Sequence, residues 1–150
     1  MRTMPQLTRR RDPNTTQETW GVYYGDVQVG TIAQRAGNPT GGPRWQWSCG
    51  FYPGSHPSEH ARGTAETFDQ ARGAFEIAWR FFHPKRTEAD FDAYRRNRAF
   101  HAWKQAMSDA GLKLPTQVAD GRGVCFCGAA IGIDDVEQHI YTAHMEPTAA

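Results

Sequence analysis

The sequence predicts an α+β fold, in which a helix packs on a three-stranded antiparallel sheet, a second helix follows, and a small ββα module closes the chain. Apolar residues alternate with a period of two before residue 52 and recur at helical spacing after residue 67, which are the patterns of strands and of helices. Two cysteines and two histidines then stand near the carboxyl end at a spacing typical of a metal site.

Length and composition are those of a small globular protein. The chain has 150 residues, 39% of them hydrophobic, and a formal net charge of +1. No apolar run approaches the ~20 residues of a membrane span, and no apolar stretch follows the basic start as it would in a secretory signal. We therefore expect a cytoplasmic protein without a membrane partner. The three cysteines are an odd number, which argues against a disulfide framework.

Changes in composition along the chain predict five segments. The start is polar and basic without periodicity, and a polar stretch separates the aromatic-rich body from the cysteines. We expect a disordered basic arm, an α+β body, a linker, a zinc finger-like module and a disordered tail at residues 1–18, 19–113, 114–123, 124–146 and 147–150.

Three strands are predicted in the body. An alternation of apolar residues begins at Trp20 and Val22, pauses at the Gly25–Asp26 pair, which provides a two-residue turn, and then resumes. The third strand covers residues 44–52, with aromatic side chains on one face and polar ones on the other. A sheet of this size needs a helix to cover its apolar face.

Two helices are predicted after the strands. Thr67 caps the first, which carries apolar residues at helical spacing and ends at Pro84. Thr87 caps the second, and Gly111 closes it. The aromatic side chains of the strands and of the first helix are expected to form the core.

Four side chains near the carboxyl end are candidate metal ligands. Cys125 and Cys127 are separated by one residue, and His139 and His144 follow on a predicted helix. Sulfur and imidazole nitrogen are the ligands that zinc takes in closed tetrahedral sites. The alternative is a metal-free helical tail that carries a reactive dithiol.

This stretch resembles the Cys-Cys-His-His zinc finger family, over about the last 25 residues. Ile131 and Val136 occupy the places of that family's two apolar core residues. The resemblance implies one zinc ion per chain, held by the four ligands. Two spacings depart from the family, because one residue separates the cysteines where it usually has two to four, and eleven separate the second cysteine from the first histidine where twelve is usual.

The charge of the predicted module argues against DNA reading by the module itself. Residues 114–150 carry one arginine against five acidic residues. The positions that read bases in DNA-binding members fall on Gly132, Asp135 and Gln138, none of which is basic. We therefore expect the module to dock a protein, with Ile140 and Tyr141 as its contact face.

Seven arginines outside the module are candidate nucleic-acid contacts. Three belong to the basic arm, one to the polar face of the third strand, and three to the second helix. An ordinary solvated surface is the alternative for each group. The seven are Arg9, Arg10, Arg11, Arg44, Arg95, Arg96 and Arg98.

The order of strands and helix in the body also resembles the small sheet domains of plant ethylene-response factors and of tyrosine-integrase amino termini. The similarity in sequence is confined to a few positions. They are Gly63, Thr64, Ala71, Ala74 and Phe75. The resemblance implies that one face of the sheet is directed at DNA.

Together these observations predict a non-enzymatic zinc-binding protein. No phosphate-binding glycine loop, nucleophile elbow or pair of catalytic carboxylates is present. The leading hypothesis is a nucleic-acid-associated accessory or regulatory factor whose acidic module docks a protein. The alternative is a protein-interaction or assembly component with a structural zinc and no nucleic acid. The oligomeric state and the roles of Cys49, His56 and His60 stay open.

Overall fold

The structure, a computed structural model, describes residues 7–37 and 42–145. The chain divides into two compact units, Met1–Tyr94 and Arg95–Ala150. This division falls inside the second helix, whereas we predicted a body that continues to residue 113.

The first unit is built on an antiparallel sheet of five strands, which lie side by side in chain order. Each strand pairs with the next one along the chain. The prediction of a three-stranded sheet is therefore wrong, although the α+β class and the antiparallel pairing are as expected. The strands are β1 (Leu7–Arg11), β2 (Thr19–Tyr24), β3 (Val27–Gln34), β4 (Trp45–Cys49) and β5 (Ala61–Ala65).

The two strands that the sequence did not predict form the edges of the sheet. In β1 only Leu7 is partly buried. In β5 burial alternates, but its partly buried positions hold only the small residues Ala61, Gly63 and Ala65, so neither strand has the large apolar residues that would identify it. Both are held by backbone pairing with a neighbour instead. Residues 7–11 of the predicted disordered arm are thus a strand, and residues 1–6 lie outside the described part.

The hairpin of β2 and β3 contains a bulge and a glycine that makes room for the helix above the sheet. The register of β2 and β3 shifts between Val22 and Tyr23. Gly30 lies where a Cβ atom would collide with the carbonyl oxygen of Ser48 and with the ring of Phe75. This position therefore requires glycine.

The first helix, α1 (Phe68–Phe82), covers one face of the sheet, as predicted. Its buried residues are Ala71, Phe75, Trp79 and Phe82, which are three or four positions apart. Thr67 caps it by accepting a hydrogen bond from the backbone nitrogen of Gln70 at 3.1 Å.

A buried arginine fastens the loop between β4 and β5 to the start of the second helix, α2 (Glu88–Asp109). Arg86 donates to the carbonyl oxygen of Gly54 at 3.0 Å and forms an ion pair with Glu59. Its side chain is 4% exposed, and its charge is therefore neutralised within the loop. None of the helices in the described part of the chain is long and apolar enough to span a membrane.

The second unit contains the carboxyl half of α2 and a small ββα arrangement. Its core is formed by Trp103, Met107, Cys125, Ile131, Val136 and Ile140. Pro115 is fully buried and β6 begins at Arg122, so much of the predicted linker belongs to this unit. The predicted tail at 147–150 lies outside the described residues. The elements after α2 are β6 (Arg122–Val124), β7 (Ala130–Gly132) and α3 (Val136–His139), followed by a π-helical turn (Ile140–His144).

Candidate metal centre

The two cysteines lie on the tight turn that joins β6 to β7. The backbone nitrogen of Gly128 donates a hydrogen bond to the carbonyl oxygen of Cys125 at 2.8 Å. The backbone nitrogen of Cys125 donates another to the carbonyl oxygen of Ala129, also at 2.8 Å. Gly128 has a φ of 95°, a conformation that glycine adopts without strain. Cys125 is buried and Cys127 is exposed, so one ligand belongs to the core and the other to the surface.

The two histidines come from the helical segment, and its irregular geometry brings them together. His144 follows His139 by five residues, which in an ideal α-helix would place them about 140° apart around the axis. The turn Ile140–His144 is π-helical, which contains more residues per turn and returns His144 toward the face of His139. Their Nε2 atoms are 3.2 Å apart. The π-helical turn therefore allows two histidines five residues apart to face the same point.

The four ligand atoms form a compact cluster, all lying within 4.8 Å of one another. The Sγ atom of Cys125 is 3.3 Å from Nε2 of His144, and Sγ of Cys127 is 3.5 Å from Nε2 of His139. A tetrahedral site with bonds of about 2.0–2.3 Å has ligand–ligand separations of about 3.3–3.8 Å. The cluster therefore has the dimensions needed to hold one metal ion, and the single-residue spacing of the cysteines is compatible with them.

Two aromatic residues support the ligands. The indole nitrogen of Trp103 donates a hydrogen bond to Sγ of Cys125 at 3.3 Å in the buried core. The ring of Phe126 lies 4.7 Å from that of His144. A donor to sulfur stabilises the thiolate that binds metal, and such outer contacts orient ligands. Sequence reasoning did not predict this contact, because nothing in a single sequence pairs Trp103 with Cys125.

The surroundings of His144 favour the neutral imidazole. Burial lowers its pKa, and the neighbouring His139 lowers it further. A metal binds the neutral ring nitrogen, so protons compete less strongly with a metal at a histidine in this environment.

The remaining cysteine and the loop histidines do not form a second site. The cluster above is the only group of this kind within the described ranges 7–37 and 42–145. Burial raises the pKa of Cys49 to about 12, so its thiol is a buried apolar group. His56 caps a short turn through Ser58, and His60 lies 2.8 Å from the hydroxyl of Ser55. Both histidines thus organise their own loop.

The arginines of the predicted arm point to different sides of the sheet. The guanidinium of Arg9 lies over the rings of Trp20 and Phe68 on the α1 side, at 5.2 and 4.9 Å. Arg11 pairs with Glu18. Arg10, which alternates with these two, lies over the ring of Tyr23 on the opposite face.

The other four predicted arginines lie in two places. Arg44 is exposed immediately before β4. The arginines of α2 begin the second unit, where Arg96 lies 5.0 Å from the ring centroid of Tyr141 and Arg95 and Arg98 also have partners. Within the first unit, Arg9 and Arg10 lie on opposite sides of the sheet, so the arginines of that unit do not form one surface.

The predicted contact face of the module is corrected in part. Ile140 is fully buried in the core of the second unit, so it cannot contact another protein while the unit is folded. It occupies the core side of the helical segment, a position that helical spacing from Val136 also predicts. Tyr141 is half-buried beneath Arg96.

Comparisons of the chain with protein-family models, with curated proteins and with solved structures find no match. The assignment of the metal centre therefore rests on its ligand types, its dimensions and its supporting contacts.

Proposed function

We propose that this protein is a non-enzymatic nucleic-acid-binding protein whose second unit is folded around one structural zinc ion. The observation that supports the zinc assignment is the cluster of two sulfurs and two imidazole nitrogens within 4.8 Å of one another, in which three separations of 3.2, 3.3 and 3.5 Å are close to those of a tetrahedral site. Zinc is the common metal for such a mixed set, since calcium and magnesium take oxygen ligands.

The proposed zinc is structural rather than catalytic. Four protein ligands fill a tetrahedron, whereas a catalytic zinc keeps one position for water or substrate. Cys125 also belongs to the core of the second unit, where it packs with residues of α2 and of the helical segment. An ion bound to Cys125 would therefore connect the turn between β6 and β7 to both. The binding free energy of the ion would supply folding free energy that the burial of so few apolar side chains does not.

The proposed nucleic-acid surface is the face of the sheet opposite α1. None of the five strands contains an acidic residue. Arg10, Arg62 and, just before β4, Arg44 are exposed and share this face by strand alternation. The polar residues between them are Thr8, Thr19, Tyr23, Gln28, Thr31, Gln46, Ser48 and Thr64. We name this set of residues, with the three arginines, the outer sheet face.

The chemistry of the outer sheet face suits a phosphate backbone. Guanidinium groups bind phosphate oxygens bidentately, and hydroxyl and amide groups add hydrogen bonds to phosphate and sugar. Tyr23 is the one aromatic side chain on the face, and Arg10 already covers it. We therefore propose contacts with the backbone and little reading of base sequence.

The test is the salt dependence of binding, measured by fluorescence anisotropy with duplex and single-stranded probes. The wild-type protein should bind at low salt, and the logarithm of its affinity should fall with a slope of about −2 to −4 against the logarithm of salt. The triple variant Arg10→Ala, Arg44→Ala, Arg62→Ala should lose most of that slope. The matched variant Arg72→Ala, Lys113→Ala, Arg122→Ala removes the same charge elsewhere and should keep it.

A specific observation favours the alternative of protein docking by the second unit. Val124, Phe126 and Ile133 are about half exposed, and they lie among acidic residues such as Asp134 and Asp135. Such an apolar surface with an acidic rim suits a basic protein segment. If both probes fail to bind even at low salt, the outer sheet face has no role with nucleic acid and the assembly alternative replaces it. The zinc assignment is tested separately, by elemental analysis.

A further inference from the structure

We infer that the solvent side of α1 pairs with the same helix of a second copy of this chain, giving an antiparallel dimer. The buried residues of α1 all face the sheet. On the opposite side of the helix, Ile77 and Phe81 are 56% and 72% exposed, one turn apart. Two large apolar side chains in register on a helix surface are typical of an interface.

The second observation is a glycine one turn before Ile77. A Cβ atom at Gly73 would meet nothing within 4 Å, so the fold of a single chain does not require glycine there. Glycine is also the poorest helix former after proline. Its place in an exposed helix is explained if another helix approaches the backbone closely at that point.

The pattern of side-chain sizes on this surface complements itself. The small residues Gly73 and Ala74 precede Ile77, and the large residues Arg80 and Phe81 follow it. In an antiparallel pair with Ile77 on the two-fold axis, Phe81 of one copy is level with Gly73 of the other. The two-fold axis repeats this contact, so a large group meets a small one twice, as an isologous interface demands.

Charge complements the same arrangement. Glu76 and Arg80 are exposed on one flank of the surface and lie within one turn of the proposed axis. A two-fold axis keeps each flank on its own side, so Glu76 of each copy faces Arg80 of the other. A parallel pair would exchange the flanks and place Glu76 opposite the flank of Ala74 and Ala78, where no arginine lies. Charge and size therefore both select the antiparallel second copy as the occupant.

The length of α1 sets the expected strength of the dimer. Fifteen residues form a helix about 22 Å long, and one helix pair lies at the lower end of interface size. We therefore expect association that depends on concentration in the micromolar range. In sedimentation equilibrium the weight-average mass should rise from 16.8 kDa toward twice that value as concentration increases.

Two variants test the geometry without unfolding the chain. Gly73→Leu places a good helix former in open space, so the melting temperature should stay or rise while the dimer is lost. Combining Gly73→Phe with Phe81→Ala exchanges large and small, and it should restore association. Ala102→Leu adds the same apolar group to the exposed part of α2 and should change nothing.

The results that would overturn the inference are equally defined. A wild-type protein that stays monomeric through high micromolar concentrations contradicts it. So does a dimer that survives both Gly73→Leu and Ile77→Glu, since association would then use another surface. Neither result bears on zinc content or on the outer sheet face, which lies on the opposite side of the sheet from α1.

Discussion

The two units of the chain hold themselves together by different means. Among the described residues, the core of the first contains eleven buried side chains, mostly aromatic and aliphatic, from three strands, one loop and two helices. The core of the second contains six, and one of them is the metal-ligand candidate Cys125. Very small domains bury too little apolar surface to be stable by burial alone, and they usually need a metal or disulfides. The comparison teaches that burial supplies a large core in the first unit, whereas we propose that the second depends on its candidate ligands as well.

Removal of the metal should give the largest difference between the units. Structural zinc contributes about 10–16 kcal/mol of apparent binding free energy in small modules, so a chelator should unfold the second unit. The first unit should keep a cooperative thermal transition by circular dichroism. Elemental analysis before chelation should find one zinc per chain.

Substitution of single ligands separates metal loss from a general effect of the chelator. Cys125→Ser and His144→Ala should abolish stoichiometric zinc, whereas His101→Ala, an exposed histidine of the same unit, should retain it. A chelator that abolishes the transition of the whole chain would show that the two cores do not unfold independently.

A large apolar truncation should produce the opposite pattern. Phe75 is 1% exposed and packs over Gly30, so Phe75→Ala should destabilise the first unit by about 3–5 kcal/mol. Zinc content and zinc affinity should not change, since no ligand lies in that unit. Denaturant unfolding followed alongside a zinc-binding titration checks both statements. Weakened zinc binding in this variant would contradict the separation of the cores.

The outer contact of the metal centre should have an intermediate effect. Trp103→Phe removes the donor to Cys125 Sγ and preserves most of the apolar volume. Loss of such a contact lowers metal affinity by about 10-fold to 100-fold. Competition with a chromophoric chelator measures this change. Trp79→Phe, in the core of the first unit, serves as the matched control and should leave zinc affinity unchanged.

Sequence alone predicted the parts of this fold that carry a periodic signal. The pairing of β2 with β3, the cap at Thr67 and the apolar side of α1 all follow from local spacing. The edge strands could not be predicted in this way, because β1 and β5 are held by backbone hydrogen bonds and bury almost no side chain.

The candidate metal centre was predicted in its residues but not in its geometry. Ligand type and order identify the four side chains, since few other roles demand them together. The π-helical turn at Ile140–His144 carries no sequence signal, yet it closes the site. The prediction that Ile140 is exposed is wrong, because Ile140 lies one helical turn after Val136 and completes the small core of the second unit.

The smallest expected effect concerns the start of α1, where local structure adds to a core that is already sufficient. Thr67 satisfies the backbone nitrogen of Gln70, one of the donors left unpaired at a helix start. Thr67→Ala should therefore lower the free energy of unfolding of the first unit by about 1 kcal/mol. For a domain of this size the melting temperature should fall by about 4–8 °C. Thr67→Ser keeps the hydroxyl and should restore most of the loss, which a packing effect of the methyl group would not. The second unit should keep its zinc in both variants, because no contact of the metal centre involves this helix start.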